Sequence, residues 1–261
     1  MFFTMPTWVV ALLLVAVLGF ATAVGYVAGR YLREHEATLR EPFGVLQGAL
    51  LGVVGLILAF GLSLAVGRYE DRRAATVTEA NAIGTTYLRA QMLAEPVRSR
   101  SLVLLRTYTD GAIAISEEVP GGPGMRRTTG AEEVLQRRLW ALAGRAVAGA
   151  PLATAPRLYV DALNTAIDSQ SARLSGLTNR VPAAVLALEV IGAGFAIGLL
   201  ALHISVLGRG FVAMLVAAAL VTLLLVVTFD LDRPTRGLIR VPDAPLTSVR
   251  ASMALPPAAH P

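Results

Sequence analysis

Long apolar stretches alternate with polar ones along this chain, and four apolar blocks stand out, near residues 8–28, 45–66, 183–203 and 211–229. Each matches the roughly 20 apolar residues that a helix needs to cross a bilayer. The second block, Val45 to Val66, carries no charge, and no Pro or Gly pair interrupts the polar residues after it. Arg68, Tyr69, Glu70, Asp71, Arg72 and Arg73 lead into polar sequence through helix-compatible residues. This membrane helix is therefore expected to continue as a water-exposed one.

The first block has two readings. Ala21-Thr22-Ala23 resembles the small-residue cleavage site of a signal peptide. Against cleavage, residues 1–7 hold no Lys or Arg, and the apolar run continues through Val24, Tyr26 and Val27 to Arg30. An uncleaved transmembrane helix is favoured, with Trp8 and Tyr26 or Tyr31 near the interfaces. A polar connector comes next, and Pro42 is placed at the start of the second helix, where a missing N–H does no harm.

Between the second and third blocks lie about 110 residues with helical patterning and no strand alternation. Val97 to Val119 reads as a helix with an inner face of Leu102, Leu105, Tyr108 or Thr109, Ala112 and Ile115. Pro120-Gly121-Gly122-Pro123-Gly124 reads as a mobile loop, with poor order expected over residues 119–128. Thr129 and Glu132 have capping-box spacing and are expected to open a helix running to Val147. Thr154 and Pro156 open another, whose near-heptad face is Leu163, Ala166, Ile167, Leu174 and Leu177. That face is expected to pack on Ile83, Tyr87 or Leu88, because neither helix can bury its stripe alone. The turn Leu207-Gly208-Arg209-Gly210 is short enough to set the last two blocks antiparallel.

The fold expected is all-α: a polytopic membrane protein of four transmembrane helices, with a helical cytoplasmic domain between the second and third. Its divisions are residues 1–43 (first span and connector), 44–180 (second span and helical domain), 181–232 (hairpin of the last two spans) and 233–261. The last is a polar tail whose final residues, LPPAAHP, are expected to be disordered.

Composition agrees. The chain is 55% hydrophobic and 16% charged, against about 25% charged in a soluble domain. The net charge of +5 comes from Arg alone, without the density or aromatic interleaving of a nucleic-acid surface. Lipid headgroups are the simpler partner for it. There is no Cys, and the three His are scattered, so neither a disulfide nor a metal site is expected, and no cofactor. Arg68, Arg72, Arg73, Arg173, Arg180, Arg233, Arg236, Arg240 and Arg250 fall on one side of the four spans, and Arg30, Arg33, Arg40 and Arg209 on the other. The excess places the middle region and tail in the cytoplasm, in the inner membrane of the cell. The first helix alone argues the reverse, because its charges come after it.

Candidate functional residues come in four groups. Gly48, Gly52, Gly55, Ala59 and Ser63 form a small-residue stripe on the second span, continuous with Gly44. Such a stripe either lets helix backbones approach closely or lines a pore, in which case Phe60, with Leu56 or Leu64, is a candidate apolar constriction. Arg68, Arg72 and Arg73 would line a vestibule at its mouth. Glu189 lies about seven residues into the third span, either as a functional intramembrane carboxylate or as a shallow one bonded to Arg180 or a neighbouring span. Asp230 and Asp232 end the fourth span beside Arg233, as an ion-paired exit. Glu79, Asn81 and Thr85 suggest polar contact with the helix holding Asp161 and Arg173. No nucleophile–base pair or phosphate loop is present, so an enzyme is not expected.

Three segments carry a family resemblance. Glu79 to Ala90 reads EANAIGTTYLRA, Asp161 to Pro182 reads DALNTAIDSQSARLSGLTNRVP, and Asp230 to Val241 reads DLDRPTRGLIRV. Together these resemble a bestrophin-like family of membrane proteins of unknown function, and are distantly similar to bestrophins. The motif positions are Glu79, Asn81, Gly84, Tyr87, Arg89, Asp230, Asp232, Arg233 and Pro234. Bestrophins are pentameric anion channels with four spans, whose second span lines the pore. The resemblance thus implies a homo-oligomeric channel for anions such as chloride. The acidic calcium-binding run of animal bestrophins is not evident. The alternative is a non-conducting membrane protein whose helical domain binds a partner or scaffolds an assembly.

Overall fold

The computed structural model describes residues 5–32, 36–208 and 210–256, and for residues 36–43 the backbone alone. It is all-helical, without strands among the described residues. Its helices are α1 (Thr7–Tyr31), α2 (Glu36–Ala90), α3 (Val97–Glu117), α4 (Pro123–Gly149), α5 (Thr154–Thr178), α6 (Ala183–Leu207), α7 (Phe211–Leu231) and α8 (Ala244–Ser252). Among the described residues, four helices are long and apolar enough to cross a membrane: α1, α2, α6 and α7. Helix α2 begins at Glu36, so Pro42 lies inside it rather than at its start. Of the last residues, 255–261, expected to be disordered, Leu255 and Pro256 are described, with the Leu255 N–H donating to Ser252 O at 3.2 Å, and positions 257–261 lie outside those described.

The chain divides into two compact units. The first comprises residues 1–68 and 180–239 and holds the membrane helices. Helix α1 packs along α6, and α7 packs against both. The α1–α6 contact is a close backbone approach: a Cβ at Gly25 would overlap the carbonyl of Gly198, and one at Gly29 the carbonyl of Leu202. Without a hydrophobic drive between helices in lipid, small residues at such a seam supply the packing. The apolar filling around it includes Val10, Leu14, Leu18, Val54, Leu186 and Ala193. The α6–α7 turn uses Gly208 and Gly210 at φ 69° and 96°, a region where a Cβ is penalised. Gly208 caps α6 by donating to Ile204 and Ser205 carbonyls.

The second unit comprises residues 69–179 and 240–261. The apolar faces of α2, α3, α4 and α5 meet around Ile83, Leu105, Tyr108, Leu139, Tyr159 and Leu163. Of the pairs expected between α2 and α5, Leu163, Ile83 and Tyr87 share this core, with Ile167 at its edge. Leu88 is exposed, and Leu174 packs instead with Ile115, Met125 and Leu177.

Three expectations in this unit are corrected. Helix α4 starts at Pro123, with Pro in its first turn, a position proline favours because its φ is already helical. Thr129 and Glu132 are therefore inside the helix and form no capping box. The Pro/Gly run is correspondingly short and ordered, with Gly122 N–H donating to Val119 O at 2.8 Å and Arg126 to Gly121 O. The tail is also not a separate polar segment. Leu246 and Met253 of the α8 region enter the core of the second unit, with Val249 at its edge. Their spacing of three and four residues marks one helical face.

Candidate functional site

On the membrane portion of α2, Val54, Leu58, Gly61 and Ala65 turn inward. The opposite face is open. Gly48, Gly52, Gly55, Ala59 and Ser63 are all exposed, and no atom lies within 4 Å of where a Cβ would stand at the three glycines. Phe60 lies on this side, 66% exposed. Within one chain the stripe packs nothing. Gly25 and Gly29 on α1, four residues apart, are glycines that meet backbone of another membrane helix, a pair that sequence reading misses although the spacing is there to see. The α2 surface also carries exposed Val45, Leu46, Val53, Leu56 and Leu64 around the stripe; α1 presents Leu12, Leu13, Val17 and Phe20, and α7 presents Val212, Leu215, Leu220 and Leu223. Those are the large aliphatic surfaces expected against lipid.

The three arginines beyond this span do not act together. Arg73 is exposed and pairs with Glu70 at 3.4 Å on the same helix, a contact of little energetic weight in water. Arg68 is half-buried. Arg72 is 1% exposed, with Nε donating to Gly176 O at 3.1 Å and Nη2 to Asn179 O at 2.7 Å. It satisfies carbonyls at the C-terminal end of α5, which have no partner inside their own helix. Its guanidinium is thereby removed from any vestibule.

Glu189 is fully buried, and neither oxygen has a hydrogen-bond partner among the described residues. It does not bond to Arg180. Its carboxylate occupies the space that a side chain at Gly61 would need. On the same helix His203 is half-buried beside Gly44.

The segment after the fourth span folds into a clasp. Asp230 accepts hydrogen bonds from the Thr7 hydroxyl at 2.9 Å and from the backbone N–H groups of Leu238 and Ile239 at 2.9 and 2.8 Å. Asp232 accepts from Val181 N–H at 3.0 Å, just before α6. Arg233 donates to Thr7 at 3.3 Å, and Pro234 is buried. Gly237 is required by crowding, since a Cβ there would stand 2.8 Å from Asp230 O and 2.9 Å from its carboxylate. The sequence reading of an ion-paired exit misses Thr7, which from sequence looks like an ordinary helix start.

The EANAIGTTYLRA segment is divided by burial. Glu79 is buried and ion-paired with Arg173 of α5. Arg173 also donates to Ala112 O at 2.8 Å and Ser116 at 3.1 Å. Beside the pair, Glu132 of α4 is buried and accepts from Gln170 at 3.1 Å, and Gln170 accepts from Gln136. Burial pushes the Glu132 carboxyl up to about 8; the charge of Glu79 pushes the same way, while the Gln170 hydrogen bond and Arg173 oppose it. In sequence Glu132 has the spacing of a cap. The signal against that is its register with Met125 and Leu139, seven residues either side and both buried. Tyr87 donates to Met253 O at 3.0 Å, and Arg106 stands over its ring at 5.8 Å. Gly84 faces Val249. Arg89 donates to Leu158 O and pairs with Asp161 at 3.1 Å. Asn81 and Thr85 line an open polar groove with Asp161 and Thr165.

These motif residues are thus the framework of both units, and the family that shares them can be compared. The Bestrophin-like domain model matches residues 10–246. The chain belongs to the Bestrophin-like family. The fold of this bestrophin-like protein is similar to that of a bacterial bestrophin homologue from Klebsiella pneumoniae. A point-substituted form of that homologue aligns with TM-score 0.70 at 13% identity, over 92% of this chain and 97% of the homologue. Its zinc-phased structure aligns with TM-score 0.68 at 14% identity, over 92% and 96%. A solved structure described as a membrane protein aligns with TM-score 0.68 at 15% identity, over 95% and 98%. No curated protein matches the sequence. The chain is a multi-pass membrane protein with a bestrophin-like fold.

Proposed function

We propose that this protein assembles as a ring in which the open face of α2 lines a pore permeable to anions such as chloride. The observation that supports the reading is the contrast between faces. The outer surfaces of α1 and α7 are mostly Leu, Val and Phe, whereas α2 exposes, beside Val45, Leu46, Val53, Leu56 and Phe60, a continuous stripe of Gly48, Gly52, Gly55, Ala59 and Ser63. Large aliphatic side chains suit lipid, and a face of glycine leaves room for hydrated ions when several copies surround an axis. Phe60 is then the apolar narrowing, where loss of water closes the path without any charge. Arg68 and Arg73 remain as the arginines at its mouth, and they raise local anion concentration there. The family resemblance points to five subunits, and the excess of Arg on one side of the spans to an inner-membrane protein with the helices between the second and third spans, and the tail, in the cytoplasm. No catalytic chemistry is part of this reading.

The test is purified protein in liposomes, assayed for chloride flux, alongside its mass in detergent. Chloride flux from an oligomer, raised by Phe60→Ala and made less anion-selective by Arg68→Gln with Arg73→Gln, supports the channel. A monomer, or an oligomer silent under both anion and cation gradients, leaves the non-conducting alternative.

A further inference from the structure

At the end of the helical unit, the turn after α2 and the turn between α4 and α5 enclose a cavity of about 550 Å³. Its wall includes Met92, Leu93, Val97, Leu142, Ala146 and Pro156. Arg100 and Arg145 also line it, and both continue into a second cleft of about 490 Å³ between α3 and α4, which Arg138 borders. These are the dimensions and the mostly apolar lining of a small-molecule site with a few placed polar groups.

The charge at this cavity that no ion pair engages is positive. Arg100 and Arg145 are exposed, and among the described residues neither makes an ion pair or a side-chain hydrogen bond. The acid on the wall, Glu95, is engaged by Arg98 at 2.8 Å and by the N–H of Ser99 at 3.3 Å. The cavity also borders the start of α5, whose N-cap is Ala153 and brings no side-chain acceptor to the first turn. A helix start without such an acceptor keeps backbone donors and the positive end of its dipole available to an anion.

We propose that this cavity binds a long-chain carboxylate amphiphile, of the fatty-acid class. Its head is held between Arg100 and Arg145, and its chain lies along the apolar wall. A carboxylate suits a pair of guanidinium groups, which offer planar donor forks. The apolar body is required by the rest of the lining, which gives a purely polar anion nothing to displace water with. This site stands whether or not the membrane helices conduct.

The experiment uses the full chain in detergent and a photoreactive palmitic acid bearing a diazirine, with the labelled peptides mapped by mass spectrometry. The expected result is label within residues 92–97 and 142–156, competed by palmitate and not by hexadecanol. Arg100→Gln with Arg145→Gln should lower labelling there about ten-fold, the loss expected for charge-assisted contacts, and Arg100→Lys with Arg145→Lys should retain most of it. Ala146→Trp, which fills the cavity, should abolish it independently of charge. Label confined to the membrane helices, equal competition by the alcohol, or undiminished labelling in both the Gln pair and Ala146→Trp overturns the proposal.

Discussion

Gly61 of α2 closes directly on the carboxylate of Glu189 of α6, leaving no room for a Cβ. One of the two had to be glycine for the other to be a buried acid. A buried polar group without a partner costs about 1–3 kcal/mol. Glu189→Met, similar in length and without the charge, is therefore expected to raise the thermal midpoint in detergent. Gly61→Ala should lower it, and Gly61→Ala with Glu189→Ala should recover most of the loss. A fall on Glu189→Met would mean that the carboxylate is held by a partner in the assembly.

The two glycine sets separate in the same measurement. Gly25→Ala and Gly29→Ala meet backbone on α6 and should destabilise the folded chain by more than about 1 kcal/mol, since backbone cannot move aside as a side chain can. Gly52→Leu meets nothing within the chain. It should leave the unfolding midpoint of the single chain near wild type while changing oligomer mass or flux.

Glu79 and Arg173 form a buried ion pair in the helical unit. Removing one partner of such a pair leaves an uncompensated charge and costs about 3–5 kcal/mol, while an apolar replacement of both is often close to neutral. Glu79→Leu and Arg173→Leu should each lower stability sharply in denaturant titrations, and the double variant should recover a large part. Additive losses in the double variant would show that the pair is not the coupled unit.

Glu132 sets a pH dependence. In the unfolded chain its carboxyl titrates near 4.5, and in the folded unit near 8. Between those values the folded state holds a proton that the unfolded state has released, so stability should fall as pH rises from about 4.5 to 8 and level off above. Glu132→Gln keeps the hydrogen-bonding shape without the titration. Denaturant midpoints at about pH 5 and about pH 9 should differ less in the variant than in wild type, with the variant the more stable of the two at the higher pH. A wild-type curve that rises over this range would overturn the assignment.

Legibility from sequence depends on the kind of information each residue carries. Membrane spans are set by length and local apolarity, and the four blocks give α1, the membrane part of α2, α6 and α7 without reference to the rest of the chain. The inner face of α3 is readable from period alone. The start of α4 is not. Thr129 and Glu132 satisfy a local capping pattern, and a proline six residues before Thr129 satisfies another. The choice between them is made by Met125, Glu132 and Leu139 facing the core, which is a tertiary fact. Leu246, Val249 and Met253 make too short a stripe to announce a helix that docks.

Hydropathy and motif spacing are properties of neighbours along the chain, and they suffice for the class of the protein: an all-helical, multi-pass chain with bestrophin-like motifs. What each polar residue is for emerges only in the folded chain. Position alone groups Arg72 with Arg68 and Arg73, yet it is buried against Gly176 and Asn179, distant in sequence. Asp230 reads as a partner of Arg233, and beyond that charge it is held by Thr7 and the N–H groups of Leu238 and Ile239, which position alone does not show. A charged group must find its hydrogen bonds wherever the fold leaves donors and acceptors unsatisfied, and those places are fixed only when helices remote in sequence have packed.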